Sequence, residues 1–535
     1  MTKKENTGNE ATNGNGGAIA CSNQPAKLTI NAGTSFVGNS AYADGGAVYY
    51  DGALTINGTS ESKVTFSGNK TLTLVSGRGQ GGAVRLWTEN SGYKAKISHV
   101  LFTDNDAGQE SGSTKNYSNG GAVYVSGILV LDVENCEFTG NRGRNGGCVS
   151  YEATVTSTFK NCNFHDNLCR TNDGTGGWFS GAVMQISKGE VLFQGCDFKN
   201  NVCNSSAAVH MNGANVIARL TDCEISGSEA KSNALFYMEK AGSKLFLEDC
   251  VIRNNKCTAG KAGVLMNEEN QRLYMNGCLV EQNTGKDRGF IHQAKASSLS
   301  YLNRVTFKEN VMSDVWGVCM HIGSANACLN NVTSYGNYNS NASTGSVVAF
   351  NGDGGWLVVN STIMDNTKTA VLRTNGASGK MSICNNIIMN THTPGNVFVM
   401  SASGSFKDGG HNVLSCTGAH QNVTPVATDL LSQSPTTLGG SYSANWTGDT
   451  PYAVYSWTNN LTGFTPATAT DVYNAIIAFD NTNTALIPTG TIGADFWNWL
   501  KEIGEVTESG TTYTFKDARG VTRTGTMWPG AYQAN

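Results

Sequence analysis

The chain has 535 residues, of which 64 are glycine and only 15% are charged, against about 25% in an average soluble protein. Its 37 basic and 41 acidic residues leave a net charge of −4 without any lysine or arginine block, so we expect no nucleic-acid partner. No stretch of about 18 apolar residues occurs, so no membrane-spanning helix is predicted.

Residues 1–13 are polar and are predicted to form a flexible leader rather than a signal peptide, because they contain no apolar core. Two origins fit this start. The chain is either cytoplasmic, or it is an exported protein whose signal has been removed and whose Met1 stands at the mature N-terminus. We favour the second origin, because the composition of the remaining chain is typical of an exported surface protein.

Residues 14–416 carry an internal repeat, marked by an apolar residue that is followed three positions later by Asn. The interval averages about 29 residues. Two copies are degenerate, since Ser228 stands at the Asn position after Ile225 and Ser334 stands at the apolar position before Asn337. The intact copies are Phe36/Asn39, Phe66/Asn69, Phe102/Asn105, Phe138/Asn141, Phe164/Asn167, Phe198/Asn201, Ile252/Asn255, Val280/Asn283, Phe307/Asn310, Ile363/Asn366 and Ile387/Asn390.

Short β-type runs recur within this repeat, for example at Lys27–Ile30, Leu129–Val133 and Lys244–Leu247. A repeat of about 29 residues holds three such strands per coil, each pairing in parallel with the next coil. Helical repeats of this length need amphipathic helices rich in Ala, Leu and Glu, whereas Gly, Asn, Thr and Ser dominate here. The sequence therefore predicts an all-β fold, a right-handed single-stranded parallel β-helix (a solenoid) of about fourteen coils.

The landmark Asn is predicted to be structural, because Asn tolerates the left-handed backbone at a corner and its amide can bond to the Asn of the next coil. A second landmark, Gly-Gly-Ala or Gly-Gly-Cys followed by an apolar residue, begins the next strand. This landmark occurs at Gly16–Ile19, Gly45–Val48, Gly81–Val84, Gly120–Val123 and Gly146–Val149.

Together, the two landmarks resemble the repeats of the polymorphic outer-membrane protein family of autotransported adhesins, and more broadly the exported parallel β-helix proteins of the pectate-lyase-like superfamily. The resemblance covers residues 14–200 and weakens afterwards, where Ala207–Val209 and Ala262–Val264 stand at the Gly-Gly-Ala position. It implies a protein that is secreted or held at the cell surface, in association with an outer membrane, and that acts in adhesion. Any surface anchor is expected in a segment outside this chain.

The fifteen cysteines follow the phase of the repeat. Stacked Cβ atoms on adjacent coils lie about 4.8 Å apart, beyond the ~3.8 Å of a disulfide, so we expect free thiols that pack as small apolar side chains. No Cys-x-x-Cys or His-x-x-x-His spacing occurs, so we predict no metal site and no cofactor. The cysteines in phase are Cys136, Cys162, Cys196, Cys223, Cys250 and Cys278 before the apolar landmark, and Cys169, Cys203 and Cys257 after the Asn.

The repeat ends after Cys416, and residues 417–535 are predicted to form a C-terminal capping domain, since an uncapped β-helix exposes unpaired strand edges. This region contains a strand-like run at Tyr452–Tyr455 and a short helix at Ala494–Ile503, which Gly504 can end. Its two ends resemble the tail that closes many exported bacterial β-helix proteins, whereas the segment 440–510 is longer than that pattern. The residues that carry this resemblance are Leu431–Pro435, Asp517–Gly520, Arg523 and Pro529–Tyr532.

Parallel β-helices include polysaccharide lyases and hydrolases, so the fold alone leaves an enzyme open. The Asn-Thr-Asp, Gly-His-Gly and Arg-Ile-Lys motifs of polygalacturonases are absent, and no Asp or Glu ladder is in matching phase. We therefore predict no catalytic residue. The carboxylates at Glu134, Glu137 and Asp197 are predicted to be solvated, and the histidines at His99, His210, His292 and His321 to be packed or hydrogen-bonded.

Three turns between the landmark Asn and the next Gly-Gly-Ala are lengthened, at residues 70–80, 106–119 and 168–179. They fall on neighbouring coils and are expected to form one surface edge, where Asp106 and Glu110 add acidic groups. Guanidinium and aromatic groups there suit an anionic or pyranose ligand, although the same residues also fit ordinary solvated loops. The candidate binding residues are Arg78, Tyr117, Arg142, Arg144, Arg170, Asp173 and Trp178.

We favour an exported or cell-surface, adhesin-like protein that binds a glycan or a surface protein through this edge, as a monomer and without a cofactor. The alternative is a polysaccharide lyase or glycoside hydrolase that acts on an acidic polysaccharide in a groove along the coils. Turnover of a polyuronate would separate the two.

Overall fold

The computed structural model describes the chain except for residues 1–3, 23–26, 73–78, 112–113, 170–179, 259–262, 287, 314–316, 324, 340–345, 351–353, 367–369, 375–378, 392–395, 400–403, 417–422, 435–440, 446–451, 457–460, 462, 481–486, 488–489, 525 and 532–535. The described residues have an all-β fold, a parallel β-solenoid of about 13 turns with two short helices near the C-terminus, which confirms the predicted fold class. Two compact units are present: the first unit is Met1–Lys244 with Asn255–Gly260, and the second unit is Leu245–Asn254 with Lys261–Asn535. None of the described helices is long and apolar enough to cross a membrane.

The coils of the first unit contribute strands to three parallel sheets, named sheet A, sheet B and sheet C. Sheet A holds Lys4–Thr7, Glu10–Ala11, Thr34–Val37, Ser40–Ala41, Val64–Ser67, Lys70–Thr71, Val100–Thr103, Asp106–Ser111, Glu137–Thr139, Arg142–Gly143, Asn163–His165, Leu168–Cys169, Asp197–Lys199, Val202–Cys203, Glu224–Ser226, Glu229–Ala230 and Lys256–Cys257, with Thr114–Tyr117 antiparallel to Asp106–Ser111. Sheet B holds Ile19–Cys21, Val48–Asp51, Val84–Thr88, Val123–Gly127, Val149–Ala153, Met184–Ile186, Ser206–Met211 and Ala234–Met238. Sheet C holds Lys27–Asn31, Ala53–Asn57, Lys94–Ser98, Val130–Glu134, Thr156–Lys160, Glu190–Gln194 and Ile217–Thr221.

The second unit repeats the same three strand positions. Its sheet A strands are Val251–Arg253, Leu279–Glu281, Thr284–Gly285, Thr306–Lys308, Val311–Met312, Thr333–Asn339, Thr362–Asn366, Ile387–Asn390 and Val413–Leu414. Its sheet B strands are Val264–Met266, Ile291–Gln293, Gly317–Ile322, Ser346–Phe350, Ala370–Thr374 and Asn396–Val399. Its sheet C strands are Lys244–Glu248, which begins at the boundary, Arg272–Asn276, Leu299–Asn303, Asn326–Asn330, Gly355–Val359, Lys380–Cys384 and Ser405–Asp408.

The apolar landmarks of the first unit form one column inside sheet A. Aromatic rings of successive coils have centroids 4.7–5.3 Å apart, and every pair is stacked except the tilted pair of Phe164 and Phe198. This spacing is the distance between adjacent parallel strands, so the prediction that residues about 29 apart lie on top of one another is confirmed. The column contains Phe36, Phe66, Phe102, Phe138, Phe164 and Phe198, all of which are buried.

The landmark asparagines form a second column beside the first. Asn69 donates from its backbone N–H and its side-chain amide to Oδ1 of Asn105, at 3.1 and 2.9 Å, and the amide also donates to the Phe36 carbonyl at 3.0 Å. Ser228 continues the column, because its hydroxyl accepts from the Asn201 backbone N–H at 3.1 Å. The predicted structural role of these residues is confirmed.

One detail of that prediction is wrong, because the landmark Asn does not adopt the left-handed backbone. The residue before it does: φ is +55° at Asp104 and +64° at Gly140, which precede Asn105 and Asn141. A residue with a short polar side chain or with none tolerates this conformation best. The corner therefore depends on two adjacent residues, one for the backbone turn and one for the ladder.

Two strands lie within the stretch predicted as a flexible leader, residues 1–13. Lys4–Thr7 pairs in parallel with Thr34–Val37, and Glu10–Ala11 pairs with Ser40–Ala41. The Asn9 backbone N–H donates to Oδ1 of Asn39 at 3.0 Å, so the asparagine column begins in this stretch. These residues form the first sheet A strands of the stack, because backbone pairing with the next coil needs no apolar side chain.

All fifteen cysteines are free, and all except Cys21 and Cys416 are buried, which confirms the prediction of packed thiols. Burial raises the pKa of Cys148 well above its usual range. The Cys148 thiol is therefore a protonated core side chain.

The C-terminal residues contain two hairpins and two helices. The hairpins are Ser441–Asn445 with Tyr452–Ser456, and Val506–Ser509 with Thr512–Phe515. The helices are α1, Ala469–Ile477, and α2, Ile492–Glu502. The bounds of α2 agree within two residues with the predicted helix Ala494–Ile503, which is thus confirmed. Gly504 follows α2 with a φ of +71°, as predicted for its C-terminus.

Both helices pack on the outward face of sheet C in the second unit. Phe496 and Trp499 contact Tyr301 with ring centroids 5.0 and 5.6 Å apart, and Cys328 and Leu357 of neighbouring strands belong to the same buried cluster. The outward positions of sheet C are thus apolar here, whereas Lys96 occupies such a position in the first unit and is exposed. The predicted domain boundaries, and the role of residues 417–535 as an end cap, stay predictions.

Candidate ligand-binding face

The lengthened turns begin on one ladder of sheet A in the first unit, with the first two on adjacent coils and the third two coils further along. Lys70 pairs with Asp106, Asp106 with Arg142, and Arg142 with Leu168. The side chains of Arg142 and Arg144 are exposed, and the Arg144 backbone N–H donates to the Ser118 carbonyl at 2.7 Å. The structure therefore brings these two arginines together on one edge.

The other candidate residues of this edge are less completely described. Tyr117 lies in a strand and pairs with Gly108 through its backbone, but its side chain is outside the described residues. Four further candidates lie entirely outside the described residues, namely Arg78, Arg170, Asp173 and Trp178. The edge as a binding site stays a prediction.

A second surface, the outward face of sheet B in the first unit, combines aromatic, charged and polar side chains. Each strand follows the Gly-Gly-Ala position, and its alternate residues, such as Val84 and Leu86, point into the core. The intervening residues form two outward columns, together named the sheet B face. The first column is Tyr49, Arg85, Tyr124, Ser150, Gln185, His210 and Tyr237. The second column is Asp51, Trp87, Ser126, Glu152, Ser187, Asn212 and Glu239.

Arg85 lies between two aromatic rings near one end of the first column. Its guanidinium carbon is 5.0 Å from the ring centroid of Tyr49 and 5.7 Å from that of Tyr124, and its Nε is 3.1 Å from the Asp44 carboxylate. The stacking and the ion pair fix the plane of the guanidinium. Its Nη1 is buried and has no hydrogen-bond partner. Arg85 can therefore donate a hydrogen bond to a group that arrives from outside.

His210 lies near the other end of the same column. Its Nε2 is 2.8 Å from Oε2 of Glu239, and its ring is stacked on Tyr237 with centroids 5.2 Å apart. Burial lowers the pKa of His210, and the hydrogen bond from His210 lowers the pKa of Glu239 to about 2. Because a carboxylate only accepts, the neutral imidazole carries its proton on Nε2. The Nδ1 lone pair is buried and unpartnered, and it is a ready acceptor.

Ser150 and Gln185 occupy the two coils between these ends. Ser150 is 0% exposed and Gln185 is 3% exposed, although both point away from the core. Ser150 Oγ and Gln185 Oε1 have no hydrogen-bond partner. Leaving a buried polar group unsatisfied costs about 1–3 kcal/mol, and native structures normally satisfy such groups with protein, water or a ligand. The first column thus holds four unsatisfied polar side chains on five successive coils.

The second column is mostly half-buried and lies beside the first. Trp87 provides an indole face next to Arg85, and Ser187 Oγ is 2.8 Å from Oδ1 of Asn212. Burial and the neighbouring Glu152 carboxylate raise the pKa of Tyr124, so its hydroxyl stays protonated. The face can therefore stack on a ring and exchange several hydrogen bonds along the coils.

The carboxylates of the face are too far apart for glycoside hydrolysis. Glu152 lies three coils from Asp51 and three coils from Glu239, which is about 14 Å at the usual strand spacing. The paired carboxyl groups of glycosidases are about 5–9.5 Å apart. Over the part of the chain that the structure describes, no group of three metal-ligating side chains is present either.

A pair of carboxylates in the second unit does approach closely. Asn412 donates from its amide to Asp408 at 2.9 Å and to Asp429 at 3.1 Å. Burial and the neighbouring Asp429 raise the pKa of Asp408 to about 8, so Asp408 is protonated at neutral pH. Asp408 borders a cavity of about 410 Å³ near α1. Since Asn412 already bridges the pair, these groups hold the last coil together.

The sheet B face was missed by the sequence reasoning, which assigned His210 to a structural role and located binding on the turns. The sequence did contain a signal for this face. The first and third residues after Gly-Gly-Ala-apolar alternate with core residues and therefore lie on the outward side of the strand. In three successive coils these positions read Tyr49/Asp51, Arg85/Trp87 and Tyr124/Ser126.

No protein-family model matches the chain, and no curated protein matches it in sequence.

Proposed function

We propose that this protein is an exported or cell-surface, adhesin-like β-helix that binds a glycan on the sheet B face. One observation carries the proposal: four polar side chains, each with a buried atom that has no hydrogen-bond partner, stand in line on the outward side of one sheet, between aromatic rings. Solvent or ligand must meet these four atoms, because no described residue bonds to them.

A glycan suits this line better than other ligands. Sugar hydroxyls both donate and accept hydrogen bonds, as the mixed donors and acceptors of Arg85, Ser150 and Gln185 require. The apolar faces of pyranose rings stack on aromatic side chains, which Tyr237 and Trp87 offer. A repeating ligand also matches a repeating surface, since each coil adds a similar pair of side chains.

The exposed arginines Arg142 and Arg144 belong to the same unit, and the chain enters sheet B at Val149 shortly after them. We include this edge in the proposal as an adjoining contact. Secretion or attachment to a surface rests on the repeat resemblance, and ligand binding rests on the sheet B face.

The test is a glycan array probed with the purified chain, followed by titration of any bound glycan. Gln185→Leu is the informative variant, because it removes an unsatisfied amide and keeps the side-chain volume. Gln194→Leu is the matched control, since Gln194 lies on the same coil but is exposed at the end of a sheet C strand. We expect Gln185→Leu to weaken binding at least ~10-fold and Gln194→Leu to leave it unchanged. Equal effects would remove the sheet B face from the proposal.

An enzyme is the second candidate, and one observation favours it: Nδ1 of His210 is a buried, unpartnered base oriented by Glu239. Incubation with neutral and acidic polysaccharides, with detection of new reducing ends and of unsaturated products, tests this. Turnover that disappears in His210→Phe would establish catalysis and defeat a purely binding role.

A further inference from the structure

The hydrogen-bonding character of the first column restricts the glycan class. Nδ1 of His210 accepts, because Glu239 holds the proton on Nε2. Oε1 of Gln185 also accepts, and Ser150 Oγ can do either. These three side chains stand on successive coils, so they span about 10 Å along the face. A ligand must present donors to at least two of them.

The charge of the sheet B face also restricts the class of glycan. The two columns and their ion-pair partners carry four carboxylates, on Asp44, Asp51, Glu152 and Glu239. Their two cations are already paired: Arg85 Nε is 3.1 Å from Asp44, and Lys240 Nζ is 2.8 Å from Glu239. Within the two columns this excess of negative charge repels a polyanion at low ionic strength, whereas Arg142 and Arg144 lie outside them, on the adjoining edge.

We propose that the sheet B face selects an uncharged, hydroxyl-rich glycan chain over a polyuronate. This inference rests on the proposed glycan binding and names its ligand class. Hydroxyl groups donate to Gln185 and His210, whereas a carboxylate would place an acceptor against an acceptor near Glu152 and Glu239. The glycan chain crosses from one coil to the next and contacts at least three successive coils, because the unsatisfied side chains lie on three successive coils.

The experiment compares neutral and acidic hexasaccharides of matched length by calorimetry with the full chain at low ionic strength. The neutral probes are glucan, mannan, galactan and xylan oligomers, and the acidic probes are oligogalacturonate and oligomannuronate. We expect binding of at least one neutral probe and none of either acidic probe. We also expect Gln185→Leu and His210→Phe each to weaken the neutral probe at least ~10-fold, because each removes an acceptor.

The outcomes separate this inference from the proposed function. Preferential binding of an acidic probe overturns the inference and leaves glycan binding standing. Neutral binding that neither variant weakens also overturns it, because the ligand then lies elsewhere. If no glycan binds in the array or in the titrations, the proposed function falls and the inference falls with it. Melting temperatures close to that of the parent chain show that both variants are folded.

Discussion

Asn337 donates its backbone N–H and its side-chain amide to Oδ1 of Asp365, at 2.7 and 3.2 Å. In the two preceding coils the same bonds join Asn283 to Asn310 and Asn310 to Asn337. A carboxylate thus stands where asparagine continues the column. It is fully buried, and burial raises its pKa to about 6.

Asp365→Asn is expected to stabilise the protein at neutral pH. A carboxyl whose folded pKa is raised contributes stability that is present below its unfolded pKa and is lost as the pH rises through the folded value. Here that loss falls between about pH 4 and pH 6 and leaves a cost of about 1–3 kcal/mol at pH 7. Thermal unfolding at pH 7 and pH 4 measures the stability difference between Asp365→Asn and the parent chain. The stability gained by the variant should be smaller at pH 4. A gain of the same size at both values would mean that ionisation of Asp365 is not its cause.

Phe198→Ala is expected to lower the free energy of unfolding by about 3–5 kcal/mol, because it deletes a fully buried ring from the phenylalanine column. Arg144→Ala is the comparison, since the Arg144 side chain is exposed, and we expect a change within about 0.5 kcal/mol. Denaturant titration measures both. Similar losses for the two variants would contradict the assigned repeat phase.

The repeat phase was predictable because two residue types recur at fixed positions in almost every coil. Where the coil geometry changes, the predicted landmark positions are wrong by one residue. The pairing shifts between Tyr335 and Tyr338, and Gly336 has a φ of +65°. This bulge makes Asp365, rather than the predicted Asn366, the acceptor in the asparagine column. Likewise Ile388, not Ile387, pairs with Ile363.

The packing of α1 and α2 on sheet C lay beyond the sequence pattern for a different reason. Period-two alternation predicts which residues point inward but not what covers the outward side. Outward Tyr301 and Leu357 are apolar, yet only the fold brings Phe496 against them. The sheet B face could not be predicted for the same reason. The outward residues Ser150 and Gln185 indicate a binding site only once the fold shows that they are buried.

Two serines on neighbouring strands test whether the polar groups of the sheet B face lack partners in solution. Ser150→Ala removes a buried hydroxyl without a partner, so we expect no loss of stability and a gain of up to about 1 kcal/mol. Ser157→Ala is the matched change, since Ser157 is 1% exposed and its Oγ accepts from the Leu131 backbone N–H at 2.9 Å. It should cost about 1–3 kcal/mol. If the two variants lose equal stability, Ser150 is bonded in solution and the case for a ligand there weakens.

His210 gives the protein a pH dependence whose sign is fixed by its burial. Burial lowers the folded pKa of His210 below its ordinary value near 6.5, so the unfolded chain takes up a proton first as the pH falls. Stability is therefore present above about pH 6.5 and is lost as the pH falls below it. His210→Phe should remove this part of the loss, so the melting temperature of the variant should rise relative to that of the parent protein as the pH falls from about 7 to 5.

Glycan binding should fall at a lower pH than the stability does, once the pH passes below the folded pKa of His210, because protonation converts Nδ1 from an acceptor to a donor. The Glu239 carboxylate is ionised throughout, since its pKa is lowered to about 2, so it does not contribute to this change. Titration of the His210 ring by NMR gives the folded pKa directly. A value above 6.5 would reverse the predicted sign of the stability effect, and it would move the loss of glycan binding to a higher pH.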